Sequence, residues 1–125
     1  MPTPEALRQL VHRYAEAVTA RDLDAIGALF AEDAVQRDPA TAPPNVGRAA
    51  ILAFFQSAVD ASTATNFEIL DLHTAGSFAA FDFRVIVTLE TGTMTIQGIE
   101  VFTVGDDGLI GQVDAYWDDD DVTFG

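Results

Sequence analysis

The chain contains no cysteine and no lysine, and its six basic residues are all arginine, at positions 8, 13, 21, 37, 48 and 84. Without thiols there is no disulfide framework, no thiolate nucleophile and no Cys-ligated zinc. Without a lysine amine, Schiff-base chemistry is excluded as well. Twenty acidic residues give a formal net charge of −14, the opposite of the basic footprint that nucleic acid or an anionic membrane demands. Long apolar runs are also missing, and no segment has the length needed to cross a bilayer. The first ten residues hold a single Arg, at position 8, and lack the basic-then-apolar order of a secretion signal. These absences lead us to expect a cytoplasmic protein with neither nucleic-acid nor membrane partners.

What remains is the balance of a globular protein: 49% hydrophobic and 21% charged residues in 125. That length holds one domain, expected to span residues 1–125. The acids are concentrated in the second half, where residues 63–125 carry twelve of them against one Arg. Such a balance reads as a solvated acidic surface that promotes solubility. Asp118 to Asp121 form the densest run. They lack the spacing and the turn glycine of a calcium loop and read as a solvated tail.

The first half has helical periodicity. Thr3 and Pro4 supply an N-cap and a first-turn proline. Leu7, Leu10, Val11, Tyr14, Ala17 and Val18 then recur at helical spacing, so one stripe faces a core. Asp22 can cap a shorter helix carrying Leu23, Ile26, Leu29 and Phe30. Asp33 to Asp38 break that period, and Pro39, Pro43 and Pro44 preclude a regular helix beyond it. After Gly47 a third helix carries Ile51, Leu52, Phe54, Phe55, Ala58 and Val59.

The second half changes to a period of two. Phe81, Phe83, Val85, Val87 and Leu89 alternate with more polar residues, as in a strand with one apolar face. After a turn at Thr91-Gly92, the positions Met94, Ile96, Glu100, Phe102 and Val104 share one phase. Gly105 to Gly108 signals a hairpin, and a last strand runs from Leu109 to Trp117 with Val113, Ala115 and Trp117 in phase. An earlier, less regular strand lies near Phe67 to Leu72. Helices followed by antiparallel strands define an α+β domain, with helices on one face of a curved sheet.

Candidate functional residues are those that break these patterns. Glu100 occupies an otherwise apolar strand phase. Facing inward, its carboxyl is desolvated, its pKa rises, and it can stay neutral and donate a hydrogen bond. The alternative is an edge or bulge position that turns it to solvent. Tyr14 lies on the inward helix stripe and needs a partner for its hydroxyl, which a neutral Glu can supply; an incidental core contact is the alternative. Asp38 precedes Pro39, a pairing that by itself marks only a turn. His12 and His73 are isolated from one another in sequence and give no metal-ligand pattern, and no phosphate-binding glycine loop is present.

The order and spacing of Arg13-Tyr14, Ala31-Glu32-Asp33-Ala34, Asp38-Pro39, Pro43-Pro44, Gly47-Arg48 and Ala115-Tyr116-Trp117 resemble those of the Δ5-3-ketosteroid isomerases, within the NTF2-like (SnoaL-like) superfamily. The resemblance covers nearly the whole chain. The Ala-Glu-Asp-Ala and Gly-Arg pieces are common to the superfamily, whereas the conjunction of Tyr14, Asp38, an acid at 100 and Trp117 is more specific. It implies a cone of three helices packed on a strongly curved, mainly antiparallel sheet enclosing an apolar pocket. It further implies Asp38 as general base, with Tyr14 and Glu100 as the oxyanion hole, a use of a protonated carboxylic acid already described for such isomerases. Leu29, Phe54, Phe81, Phe83, Val113 and Trp117 are the implied pocket walls. The implied reaction converts a 3-oxo-Δ5-steroid to its conjugated Δ4 isomer, with no metal or organic cofactor, in a homodimer joined through the outer sheet face.

Two departures stand out. The family's third catalytic position is usually Asp and is Glu100 here, and two supporting tyrosines are replaced by Phe30 and Phe55. Other functions hosted by the same scaffold are a polyketide cyclase, an epoxide hydrolase and a non-catalytic module for an apolar ligand. An epoxide hydrolase of the limonene type needs an Asp-Arg-Asp set, and the two-residue spacing of Asp82 and Arg84 does not establish one.

Overall fold

Helix α1 (Pro4–Ala20) starts where the sequence signals it, with the Thr3 hydroxyl accepting the Ala6 N–H at 3.1 Å and proline in the first turn. In the computed structural model, which describes residues 1–125, its inward stripe buries Leu7, Leu10, Val11, Tyr14, Ala15 and Ala17. Arg21 ends the helix in the left-handed region, at φ 58°. The second helix, α2 (Leu23–Gly27), is capped by Asp22, whose carboxylate accepts the Ala25 N–H.

This helix is shorter than its periodicity suggests. Phe30 is not its last turn but the first residue of strand β1 (Phe30–Arg37), and the segment read as irregular is mostly strand. The reason is remote pairing: β1 runs parallel to β6 (Ile110–Tyr116), with Phe30 opposite Ile110 and Gln36 opposite Val113. Only Ala34 and Gln36 mark its buried phase after Phe30, and neither carries an apolar strand signature. Gln36 is satisfied, since its amide oxygen accepts from Asn45 at 2.9 Å. Asn45 belongs to β2 (Asn45–Val46), which pairs with β1. Gly47, at φ 94°, turns the chain into α3 (Arg48–Asp60), and Arg48 Nε donates to the Phe30 carbonyl at 3.2 Å, tying the helix start to β1.

Three long antiparallel strands follow: β3 (Ala64–Ala75), β4 (Phe78–Leu89) and β5 (Gly92–Val104). The sheet order is β2-β1-β6-β5-β4-β3. Every pairing is antiparallel except β1 with β6, so the sheet is mixed but mainly antiparallel. The first half of β5 leaves β6 and pairs instead with β7 (Val122–Phe124). The acidic run before β7 is exposed, as its composition implies, but it is not a free tail. Asp118 accepts from the Asp120 N–H and donates its own N–H to Asp121, closing a capped single turn over Asp119–Asp121 that feeds β7.

The three helices and the inner face of this curved sheet bury one continuous apolar cluster. Gly98 permits a close crossing at its rim, since a Cβ there would collide with the Tyr116 carbonyl oxygen and approach Trp117 Cβ at 3.1 Å. Gly98→Ala should therefore lower stability by about 1–3 kcal/mol, the usual range for overpacking. A denaturant midpoint unchanged from wild type would contradict that steric role.

Candidate active site

Strand β5 is central where it carries Glu100, with Phe81 of β4 opposite on one side and Ala115 of β6 on the other. The register irregularity of this strand falls at Thr103/Val104, beyond Glu100. Position 100 is therefore neither an edge nor a bulge, and the side chain is only 2% exposed. It meets Tyr14 of α1, whose hydroxyl donates to Glu100 Oε1 at 3.2 Å. These two residues are 86 positions apart, brought together by α1 lying across the inner face.

Five phenylalanine rings surround Tyr14, at centroid distances from 5.1 Å for Phe102 to 6.5 Å for Phe81. Phe30 and Phe55 are among them, each edge-on, so Glu100 is the phenol's hydrogen-bond partner. In this dry shell, burial pushes the Glu100 carboxyl well above the ordinary carboxylate range, and the charge of Asp38 pushes it further. The Tyr14 hydrogen bond opposes both only in part. Burial likewise raises the Tyr14 phenol, reinforced by the Glu100 and Asp38 charges. Both shifts favour the protonated forms of the acid and the phenol.

Asp38 follows β1 directly, and a cis peptide joins it to Pro39. Indole Nε1–H of Trp117 donates to Asp38 Oδ1 at 2.7 Å, a contact that the role of Trp117 as an apolar wall does not include. Burial raises the Asp38 carboxyl and the indole hydrogen bond partly lowers it again. Hydrogen bonding to a carboxylate favours its ionised form, so the indole works against the burial of Asp38.

Asp38, Tyr14 and Glu100 all line one cavity of about 210 Å³, in which fourteen of eighteen lining residues are hydrophobic. Of the expected wall residues, Phe54, Phe83 and Trp117 line it. Leu29, Phe81 and Val113 do not; they are packed in the core behind it. Phe81 packs against the rings of Tyr14 and Phe102. Leu29 is held at the α2–β1 junction, where its carbonyl accepts the Ile110 N–H, and Val113 faces Phe102 across β6 and β5. Their places are taken by Val85, Val87, Met94 and Ile96, the far ends of the same apolar strand phases. Arg21 and Thr65 also line the cavity; periodicity gave no sign of either. Arg84, by contrast, points away from it and pairs with Glu68, Nε to Oε1 at 2.9 Å.

Helices packed on a curved, mainly antiparallel sheet around such a cavity define an α+β protein of the NTF2-like class. The chain belongs to the SnoaL-like domain family, whose model matches residues 11–113. A steroid Delta-isomerase of Nocardioides simplex is 35% identical over 111 residues, covering 89% of each chain. Among solved structures, SalBIII, an epoxide hydrolase/cyclase-like enzyme with a role in pyran ring formation in the polyether salinomycin, superposes with a TM-score of 0.89. It shares 26% identity over 97% of both chains. RV0760c from Mycobacterium tuberculosis superposes with a TM-score of 0.90 at 22% identity over the full length of both chains, a likeness of fold.

Proposed function

We propose that the chain acts as a single-domain 3-oxosteroid Δ5–Δ4 isomerase that needs no cofactor. The observation carrying this reading is the buried Tyr14–Glu100 hydrogen bond in an apolar cavity shared with Asp38. Likeness to the steroid Delta-isomerase of Nocardioides simplex supports it. The outward, ion-paired Arg84 disfavours an Asp-Arg-Asp water-activating set built with Asp82.

In this reading Asp38 removes a proton from C4 of a β,γ-unsaturated 3-ketosteroid. Charge develops on the carbonyl oxygen as the dienolate forms. Tyr14 and neutral Glu100 donate to that oxygen, and the low dielectric of the cavity strengthens both bonds as charge grows. Tyr14 exchanges its hydrogen bond to Glu100 for one to the ligand. Asp38 then returns the proton to C6, giving the conjugated enone with no net gain or loss of atoms. Phe54, Phe83 and Trp117 supply apolar wall for the rings. On the outer face, Ile99 and Tyr116 pair across β5 and β6 at 44% and 53% exposure, which fits the homodimer that the resemblance implies.

The test is incubation with 5-androstene-3,17-dione while following the ultraviolet absorbance of the conjugated enone. Absorbance should rise catalytically; a rate no higher than the uncatalysed background overturns the reading. The same assay has a predicted pH dependence. Asp38 must be ionised to accept a proton, and burial raises its pKa, so kcat/KM should fall on the acid side at a pH above the ordinary aspartate range. Trp117→Phe removes the hydrogen bond that favours the carboxylate and should move that limb to still higher pH. Below the limb the loss should be on the order of tenfold, as for one hydrogen bond to a charged group. A limb that stays in place would separate Trp117 from the ionisation of Asp38.

A further inference from the structure

Arg21 is the only basic residue lining the cavity, and the proposed reaction leaves it unused. Its backbone has φ 58° at the end of α1, a conformation that glycine adopts at least cost and that a side chain with a Cβ resists. The side chain is held firmly. One terminal nitrogen donates to Ser62 Oγ at 2.8 Å and to Thr65 Oγ1 at 3.4 Å. The other donates to the carbonyls of Val59 and Ser62, both at 2.9 Å. Every one of these partners is neutral, and none of the ion pairs in the structure includes Arg21. A guanidinium is always charged. The structure thus holds a full positive charge, fixed in orientation and without a carboxylate, at the wall of an otherwise apolar cavity.

Arg21 lies at the end of the cavity remote from Tyr14 and Glu100. Seven residues of α1 separate it from Tyr14, roughly 10 Å along a helix axis. Thr65, its partner on β3, lies opposite Val87, which lies opposite Met94. Met94 is six residues from Glu100, roughly 20 Å of strand contour. A rigid polycyclic ligand with its ketone at Tyr14 and Glu100 therefore directs its other end toward the guanidinium.

We propose that Arg21 is a specificity-determining residue, which recognises a carboxylate on the end of the ligand distal to the reacting ketone. The inference rests on the proposed function and deepens it by naming the substrate class as acidic 3-ketosteroids. The four terminal N–H groups of Arg21 are taken up by Val59, Ser62 and Thr65, which leaves the Nε–H and the fixed positive charge to meet the carboxylate. The anchored nitrogens hold the fork in place, so little ordering is needed when the ligand arrives.

The experiment measures the affinities of 3-oxo-4-androstene-17β-carboxylic acid and of neutral 4-androstene-3,17-dione by equilibrium dialysis, with wild type, Arg21→Met, Arg21→Lys and Ser62→Ala. The readout is the acid-to-neutral affinity ratio, which a purely structural clamp would leave unchanged because it acts on both ligands alike. Arg21→Met should lower the ratio by about tenfold or more, and Arg21→Lys, which keeps the charge, should restore most of it. Ser62→Ala removes one anchoring side chain and no charge, and should leave the ratio near wild type. If both ligands bind wild type and Arg21→Met leaves the ratio unchanged, the inference fails while the proposed function stands. If neither ligand binds wild type, the steroid reading of the cavity fails and the inference with it. Should Arg21→Met not fold, Arg21→Gln, which likewise removes the charge, is measured in its place. A clamp role requires the acid and the dione to lose affinity equally in that variant, whereas the recognition role requires the acid to lose more.

Discussion

Asp38→Asn should reduce kcat for the conversion of 5-androstene-3,17-dione by roughly 10²–10⁴-fold, the span of a general base's contribution. The substitution is close to isosteric, so the cavity keeps its shape. What it removes is the side chain to which the proposed mechanism gives the proton. Glu100 is a poor replacement, since burial, the largest cause of its raised pKa, persists in the variant and still disfavours its carboxylate. Tyr14 is no better, because its phenol is pushed upward by the same surroundings. Affinity for the neutral product should survive, as the walls are untouched. Removing the Asp38 charge also relieves its repulsion of the Glu100 charge, so Glu100 should titrate lower in the variant. Turnover within a few-fold of wild type would keep the activity but refute Asp38 as the base.

Tyr14→Phe should cost kcat about 10²–10³-fold, comparable to deleting one oxyanion-hole donor. In the proposed mechanism the phenol donates to the oxygen as negative charge builds there, so the loss should belong to kcat rather than to ground-state binding. The ring itself should remain in place among Phe30, Phe55, Phe67, Phe81 and Phe102. Its hydroxyl leaves the Glu100 carboxyl buried without its partner, a cost of about 1–3 kcal/mol in stability. Measuring kcat and a urea midpoint together separates the two effects. Loss of stability with kcat unchanged would assign the Tyr14–Glu100 pair to the core alone. Glu100→Ala should likewise slow chemistry more than it weakens binding of the product. The longer Glu in place of the family's Asp makes this comparison informative, because misplacing a donor by about one bond length can cost a large rate factor.

Much of the molecule was legible before folding was considered. The stripe Leu7, Leu10, Val11, Tyr14 and Ala17 became the buried face of α1, and the phase of Met94, Ile96, Glu100, Phe102 and Val104 became the inner phase of β5. Both are set by local backbone period, which fixes the direction of each side chain relative to its neighbours. The acid at 100 was conspicuous for that reason. The failures share the opposite character. Phe30 looked helical and Asp33 to Asp38 irregular because the partner of β1, β6, lies about eighty residues later, and burial there falls on Ala34 and Gln36 rather than on β-branched residues. The acidic run at 118–121 looked like free chain because its order depends on reciprocal capping and on β7 finding β5.

Within the cavity the same division holds. Phe54, Phe83 and Trp117 could be assigned to it, but apolar character alone does not separate wall from core, and Leu29, Phe81 and Val113 were packed away behind it. The hydrogen bond from Trp117 to Asp38 and the unpaired charge of Arg21 had no local signature at all.

The sequence by itself determined the kind of chemistry open to this protein. With no cysteine or lysine, and histidines isolated from each other, carboxyl and phenol groups are left to move protons, and strand phase marks Glu100 as the unusual one. Only the tertiary structure decided that burial disfavours the charged forms of Asp38 and Glu100. A pKa depends on what surrounds a carboxyl in space, and the rings around Tyr14, the indole at Asp38 and the central position of β5 come from segments distant in the chain.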